Sequence, residues 1–523
     1  MVKVELYDTT LRDGAQSEGI SFSVNDKLKI CEKLDELGIH FIEGGWPGAN
    51  PKDMSFFKKA SDLNMKKTKL VAFGSTRHSG TKVANDKILN NLLAAETAVI
   101  TIFGKSWDLH VKDVFKVNLE ENVRMIADSV KYLKSKGRTV FYDAEHFFDG
   151  YKANRVYALK TLKAAEEAGA DRIILCDTNG GTVTSHLFDI IEMVKENIAT
   201  PLGIHAHNDS DMAVANSIAA IQAGCVQVQG TMNGYGERCG NANLVSVIAN
   251  LQLKLGITCV SDIALTELAE VARYVAEISN MKLQDNQPFV GGSAFAHKAG
   301  VHVNAILKNP KTYEHVDPHL VGNRRKLLIS ELSGRSTILN KVEELELDLD
   351  KDDLKSKRIL KTLQDLEHKG YHFEAAEASL ELLIKRIMKK FKNFFDIESF
   401  KVTSEKARRS KMSSRAVIRL RVGKRVERAE AAGDGPVNAL DGALRKALKK
   451  FYPNIAQMHL TDYKVRVLDE KEGTAARVRV LIQSQDETDS WWTTGVSENI
   501  IDASWEALVD SVEYKLLKDS QGR

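Results

Sequence analysis

The stretch Arg172-Ile-Ile-Leu-Cys-Asp177-Thr-Asn179 decides the fold. Four apolar residues follow one another without alternation, which is how a strand covered on both faces reads, and the polar residues begin only as the run ends. Before it lies a helical pattern that Asn154 opens, Val156, Leu159 and Leu162 stripe, and Gly169 closes. The same unit recurs along the first half of the chain. Apolar runs of strand length stand at 3–8, 40–45, 69–73, 98–103, 139–143, 172–176, 203–206 and 226–231. Ahead of the second run, Ser23 and Asp26 form a capping-box pattern, Leu28, Ile30, Leu34 and Leu37 make a stripe, and Gly38 ends the helix. About eight such units in some 260 residues have the size of a (β/α)8 barrel.

The polar residues separate a barrel from a doubly wound sheet. They cluster after each run: Asp8-Thr-Thr-Leu-Arg12-Asp13, Glu43-Gly-Gly-Trp46, Asp143-Ala-Glu145-His146, Asp177-Thr178-Asn179 and His205-Ala-His207-Asn208-Asp209. Barrels build sites from the C-terminal ends of many strands. A dinucleotide-binding sheet would concentrate its signature in one Gly-rich first turn, and no G-x-G-x-x-G opens a helix here. The expected architecture is a (β/α)8 barrel over 1–284, a connecting segment and helical subdomain over 285–392, and an α+β module over 393–523.

Composition narrows the partners. The 523 residues are 43% apolar with 8 Pro, so several packed cores fit better than one core or a disordered chain. Seventy-four basic against 71 acidic residues leave +3, which points to neither nucleic acid nor membrane. Five cysteines without a C-x-x-C pair predict reduced thiols in a cytoplasmic protein. The uncharged run from Met212 to Gly236 is interrupted by Asn216, Gln222, Gln227, Gln229 and Asn233, and reads as a buried helix followed by a buried strand.

Beyond about residue 262 the texture changes. Residues 285–330 hold Pro288, Pro310, Pro318 and four histidines, 331–392 is helical and charged, and strands return at 416–422, 463–468 and 476–483 with helices at 437–450 and 503–517. Residues 401–428 carry eleven Lys/Arg against two Glu, but no interleaved aromatics for base stacking, so a solvated strand pair is expected there.

His205-x-His207 is the most specific local signal. Residues i and i+2 of a strand face one side, so both imidazoles aim at one point, and two imidazoles with a carboxylate make a three-ligand metal site with open positions. Asp13 at the end of the first strand is the natural third ligand. Such a set accepts Mg, Mn, Zn or Co. Arg12, its neighbour, is expected to point to the other side and to polarise carboxylate or carbonyl oxygens. Glu145, Thr178 and Asn179 are further strand-end groups for protons or a small carboxylate. In the loop Gly234-Tyr-Gly-Glu-Arg-Cys-Gly240-Asn241, the glycines allow close backbone approach and Asn241 can add an oxygen to the metal shell.

Taken together, three motifs resemble the metal-dependent Claisen-condensing barrel enzymes, that is the isopropylmalate, homocitrate and citramalate synthases, with hydroxymethylglutaryl-CoA lyase as a relative. They are Asp8-Thr-Thr-Leu-Arg-Asp-Gly14 with Gln16, His205-Ala-His-Asn-Asp209, and Gly234-Tyr-Gly-Glu-Arg-Cys-Gly-Asn-Ala242. The likeness continues through Phe295-Ala-His-Lys-Ala-Gly-Val-His302 into the last module. It implies that Asp13, His205 and His207 bind the divalent metal, with Gly240 and Asn241 beside it. Arg12 would polarise the keto oxygen of a 2-oxo acid, Thr178 would hold its carboxylate, and Glu145 would lie near acetyl-CoA. It further implies that His302 is the general base with Tyr313 beside it, supplied to a partner subunit's barrel in a homodimer.

Within the family, Ile42-Glu-Gly-Gly-Trp-Pro47, Asn323-Arg-Arg325, Ser333-Gly-Arg-Ser336 and Trp492-Thr-Thr-Gly-Val-Ser-Glu-Asn499 resemble the citramalate-forming members most. That favours pyruvate over 2-oxoisovalerate or a larger oxo acid. Asp143, where some of these members carry an aromatic residue, and Asn304 depart from the pattern. The last module resembles the family's feedback domain, with Gly433-Asp-Gly-Pro-Val-Asn-Ala439 turning into a helix and isoleucine as the implied effector. A lyase of the same fold lacks so long an extension. A nucleic-acid-binding regulator and an iron-dependent oxygenase with the same ligand set are the rivals from other classes.

Overall fold

The computed structural model describes residues 4–328, 354–406, 411–468 and 476–522. Two compact units divide them. One runs to Phe295 and adds His315–Arg325; the other holds Ala296–Glu314 and the described residues from Lys326 on. The units therefore cut through the connecting segment read at 285–392. The motif at 333–336 and residues 407–410 of the basic stretch lie outside the described residues.

In the first unit eight parallel strands close into a barrel: β1 (Glu5–Asp8), β2 (Phe41–Gly45), β3 (Lys69–Ser75), β4 (Val99–Lys105), β5 (Thr139–Glu145), β6 (Arg172–Asp177), β7 (Leu202–Ala206) and β8 (Gln227–Gly230). β8 returns to β1 with Glu5 opposite Gln227 and Asp8 opposite Gly230. A helix follows each strand: α1 (Val24–Leu37), α2 (Pro51–Ala60), α3 (Lys87–Ala94), α4 (Leu119–Ser135), α5 (Arg155–Glu167), α6 (Thr184–Lys195), α7 (Ala213–Gln222) and α8 (Leu244–Leu255). The barrel is the fold that the strand-and-helix alternation predicts. Local rules account for the ends of these helices. Ser23 and Asp26 form the reciprocal capping box, and Gly38 closes α1 in the left-handed region at φ +94°. On α5 the stripe differs from expectation. Val156 is 80% exposed, and Tyr157, Ala158, Leu162 and Ala165 carry the buried face, because the helix begins at Arg155 and turns Val156 outward.

Tyr7, Phe41, Val71, Val99 and Phe141 fill the barrel interior as one apolar layer, with Phe41 and Phe141 edge to face at 5.2 Å. This layer floors the polar groups at the strands' C-terminal ends. The uncharged run becomes α7 and β8, both largely buried. No described helix is long and apolar enough to cross a membrane.

The second unit contains α9 (Gly300–Lys308), α10 (Leu354–His368), α11 (Glu377–Ile387) and two three-stranded antiparallel sheets, each followed by a helix. The first sheet is β9 (Asp396–Glu405), β10 (Ser413–Val422) and β11 (Arg425–Gly433), then α12 (Pro436–Leu448). The second is β12 (His459–Val467), β13 (Val478–Gln485) and β14 (Ser490–Ser497), then α13 (Ile500–Gln521). Three of these strands, β9, β11 and β14, have no apolar run picked out in the sequence, although a strand pair is expected over 401–428. All three are edge strands. β9 and β11 bury little of their length, so their apolar alternation is sparse, whereas β14 is largely buried and was simply not picked out. The basic stretch is solvated and locally paired: Arg419 and Arg421 share Glu398, and Arg415 meets Glu430 at 2.9 Å.

Candidate active site

β1 ends at Asp8 and the chain turns at once. The N–H groups of Arg12, Asp13 and Gly14 all donate to the Thr9 carbonyl at 2.9–3.1 Å, and Asp13 is helical in conformation. Strand alternation therefore does not apply, and the expected divergence of Arg12 and Asp13 is corrected. Arg12 Nη1 lies 3.4 Å from Asp13 Oδ2. Asp8 itself is occupied by the Thr10 N–H and hydroxyl at 2.9 and 2.8 Å, and burial pushes its carboxyl up to about 7.

Across the mouth, His205 is the last but one residue of β7 and His207 lies just beyond the strand. Their Nε2 atoms are 3.4 Å apart, and His205 Nε2 is 3.3 Å from Asp13 Oδ2. One ligand atom from each of Asp13, His205 and His207 lies within 4.8 Å of the others, and all three residues are buried. The surroundings prepare this set for a cation. His205 Nδ1 donates to Gln229 Oε1 at 2.9 Å, which leaves Nε2 to ligate, and Gln229 Nε2 donates to Asp143 at 3.2 Å. Burial raises Asp143 to about 7. Burial also works to raise Asp13, but Arg12 and the imidazoles overcome it and hold the carboxyl well below the usual range. Burial, with His205 adding to it, pushes His207 down to about 3. Burial would lower His205 too, but the hydrogen bond and charge of Asp13 raise it.

Asn241 tests whether the residues fit a metal. Its amide oxygen and nitrogen are both buried without a partner, as is His207 Nδ1, and Asn241 pairs with His207 in an isolated β-bridge. A buried amide without hydrogen bonds costs about 1–3 kcal/mol, so the arrangement fits a bound group. Gly240 makes the loop possible: at φ +86° it sits where a Cβ would meet the Gly234 carbonyl at 2.0 Å.

The cavity measures about 230 Å³, and its lining includes Arg12, Asp13, Glu145, Thr178, His205 and His207. Arg12 lies 3.8 Å over the Phe73 ring and donates from Nε to Glu43 Oε1 at 2.5 Å. The other Glu43 oxygen accepts from Tyr7 at 2.6 Å. Trp46, Phe73 and Phe103 form an aromatic wall with centroids 5.5–6.0 Å apart. Thr178 Oγ1 accepts from the His146 N–H at 2.9 Å, which leaves its O–H free to donate. Asn179 is exposed and turned away, donating to Asp149 at 2.9 Å. His302 and Tyr313 belong to the second unit, where they are exposed and stack with centroids 4.1 Å apart. Four groups beyond the expected set emerge: the Arg12 anchor Glu43, the His205 anchor Gln229, the aromatic wall, and Arg238. The Arg238 fork grips Asp209 at 2.7 and 2.9 Å and the Thr178 carbonyl at 2.7 Å. Polar Gln227 and Gln229 inside an otherwise apolar strand were the signal for the second.

Comparison with known proteins identifies the family. The chain is 55% identical to the (R)-citramalate synthase of Aquifex aeolicus over 99% of both chains. It is 54% identical to that of Geobacter sulfurreducens over 100% of this chain and 99% of the relative. The chain belongs to the (R)-citramalate synthase family. It is an enzyme, an acyltransferase. The HMGL-like family model matches residues 3–275. The homocitrate synthase post-HMGL domain-like profile matches 289–370, and the LeuA allosteric (dimerisation) domain matches 374–516. The 2-isopropylmalate synthase of Methanocaldococcus jannaschii is similar at 31% identity over 99% of this chain and 95% of that one.

Proposed function

We infer that the chain joins acetyl-CoA to pyruvate and hydrolyses the new thioester, releasing (R)-citramalate and CoA. The observation that carries this reading is one cavity holding a convergent Asp13–His205–His207 set, a fixed guanidinium and an aromatic wall. A divalent metal held by Asp13, His205 and His207, with Asn241 beside it, would supply Lewis acidity at the acceptor's keto oxygen.

The chain's own groups do the rest. Arg12, clamped between Glu43 and Phe73, places a permanent positive charge where the keto oxygen gains negative charge as the carbon–carbon bond forms. The free Thr178 O–H donates to the acceptor's carboxylate. Trp46, Phe73 and Phe103 narrow the pocket, which favours the methyl of pyruvate over a branched chain. The acetyl methyl proton must leave to a neutral base, and imidazole serves at neutral pH. His302, with Tyr313 stacked on it, is our assignment for that base, provided by a second copy of the chain in a homodimer. Water then attacks the thioester carbonyl and CoA leaves as the thiol.

Isoleucine is the proposed feedback effector and isoleucine synthesis the proposed pathway. A cavity of about 440 Å³ in the C-terminal module, lined by Arg445, Lys449, Ile455 and Met458 among others, offers room for it. The five free cysteines suit a reducing, cytoplasmic setting.

Thiol release from acetyl-CoA, measured with a panel of 2-oxo acids and an added divalent metal, tests the reading. Pyruvate should turn over fastest and isoleucine should slow it. Faster release with 2-oxoisovalerate, or none with pyruvate, overturns the assignment of the acceptor.

A further inference from the structure

We infer that Lys105 is a positioning residue for Glu145, fixing the aim of the carboxylate that meets the acetyl donor; this rests on the reading of Glu145 as part of that site. Lys105 is the last residue of β4 and stands directly opposite Glu145, the last residue of β5. Both side chains therefore leave the barrel rim together. Lys105 Nζ forms an ion pair with Glu145 Oε2, a buried oxygen that accepts no hydrogen bond, so charge alone holds the two together. Glu145 lines the cavity, and Lys105 reaches it only through this carboxylate.

Several contacts stop the lysine from swinging away. Its ammonium lies 5.5 and 5.6 Å from the Phe103 and Phe115 ring centres. Its backbone carbonyl accepts from the buried Asn122 side chain at 2.8 Å. The residue as a whole is 8% exposed. His110, which feels the Lys105 charge, is stacked on Trp107 with centroids 5.4 Å apart. A lysine normally keeps its head in water and retains much rotamer freedom. Here that freedom is given up for a single partner. With Oε2 drawn to the ammonium, Oε1 is the oxygen left for the cavity that Glu145 lines. Without the ammonium, the carboxylate is free to turn about its last torsion.

The test compares Lys105→Met, Lys105→Arg, Glu145→Gln and the Lys105→Met/Glu145→Gln double variant in the full chain. CoA release is followed with acetyl-CoA, pyruvate and a divalent metal. Lys105→Met should lower kcat by roughly tenfold while the KM for pyruvate stays within about twofold, the pattern of a misaimed group rather than lost binding. Lys105→Arg should restore most of that loss, because it returns the charge. The double variant should be no slower than Glu145→Gln alone, since the lysine acts through the carboxylate. An unchanged kcat in Lys105→Met, an equal loss in Lys105→Arg, or additive losses in the double variant overturns the inference. If Glu145→Gln is slow and Lys105→Met is not, only the role of Lys105 falls. Full activity in Glu145→Gln removes the reading of Glu145 itself. Should Lys105→Met fail to fold, Lys105→Gln takes its place with the same expectations.

Discussion

Two clusters of charged side chains in this molecule are built differently. In the second unit Arg386 bridges Asp510, at 2.9 Å, and Glu513; Ser379 donates to Asp510 at 2.7 Å, and Tyr371 donates to Glu506 at 2.7 Å. Each of these acids closes on a group of the protein. At the barrel mouth Asp13, His205 and His207 crowd together, and the Asn241 amide has no partner at all. Charges that satisfy one another join elements of the fold. Donors that converge beside an unsatisfied neighbour do not close on one another in this way, which is what our proposal of a metal there uses.

Breaking each cluster in turn checks this contrast. The largest effect is expected from His205→Ala or Asp13→Ala, which should abolish metal uptake in equilibrium dialysis and slow CoA release by roughly a thousandfold. Full activity in either variant would remove the ligand set from the argument. Gln229→Leu leaves the ligands in place but frees the His205 ring. Metal affinity should fall by about 10–100-fold, and an unchanged binding isotherm would show that the Gln229 contact does not matter.

In the second unit the readout is stability rather than rate. Arg386→Met strips Asp510 and Glu513 of their shared cation and should cost about 2 kcal/mol in denaturant unfolding, below the usual buried-pair figure because the Arg386 side chain is 37% exposed. The rate with pyruvate should not change. A matching loss of rate would mean that the cluster is more than a joint.

The smallest effect concerns pH. Burial raises Glu513 to about 7, so between its ordinary value and 7 the folded state holds a proton that the unfolded chain has lost. Stability from this group is full at low pH and falls as pH rises through that window. The denaturation midpoint of Glu513→Gln should therefore vary less between pH 5 and about 7.5 than that of the parent. Identical slopes would count against the raised carboxyl.

Much of the site was legible in the chain. His205 and His207 were readable because a strand places i and i+2 on one face, and their imidazoles do converge. The Gly-rich loop was readable because close backbone approach needs glycine, and Gly240 sits where a Cβ has no room. The relation of Arg12 to Asp13 was misread. The strand was read as ending at 8, but nothing local announces the helical turn that follows, since the Thr9 carbonyl that gathers three N–H groups is a turn contact, not a periodicity. The edge strands β9 and β11 were hard to read for a related reason: with one side unpaired and most side chains wet, they carry little pattern.

The order of apolar runs and helical stripes dictated the barrel, because period and burial are properties of neighbouring residues. Which side chain steadies which was decided only when the barrel closed. Arg12 finds Glu43 across 31 positions, Gln229 finds Asp143 across 86, and Lys105 finds Glu145 on the next strand. Such pairings depend on strand register and on the depth at which each chain segment turns. Those are set by the packing of the whole barrel, not by any stretch of it.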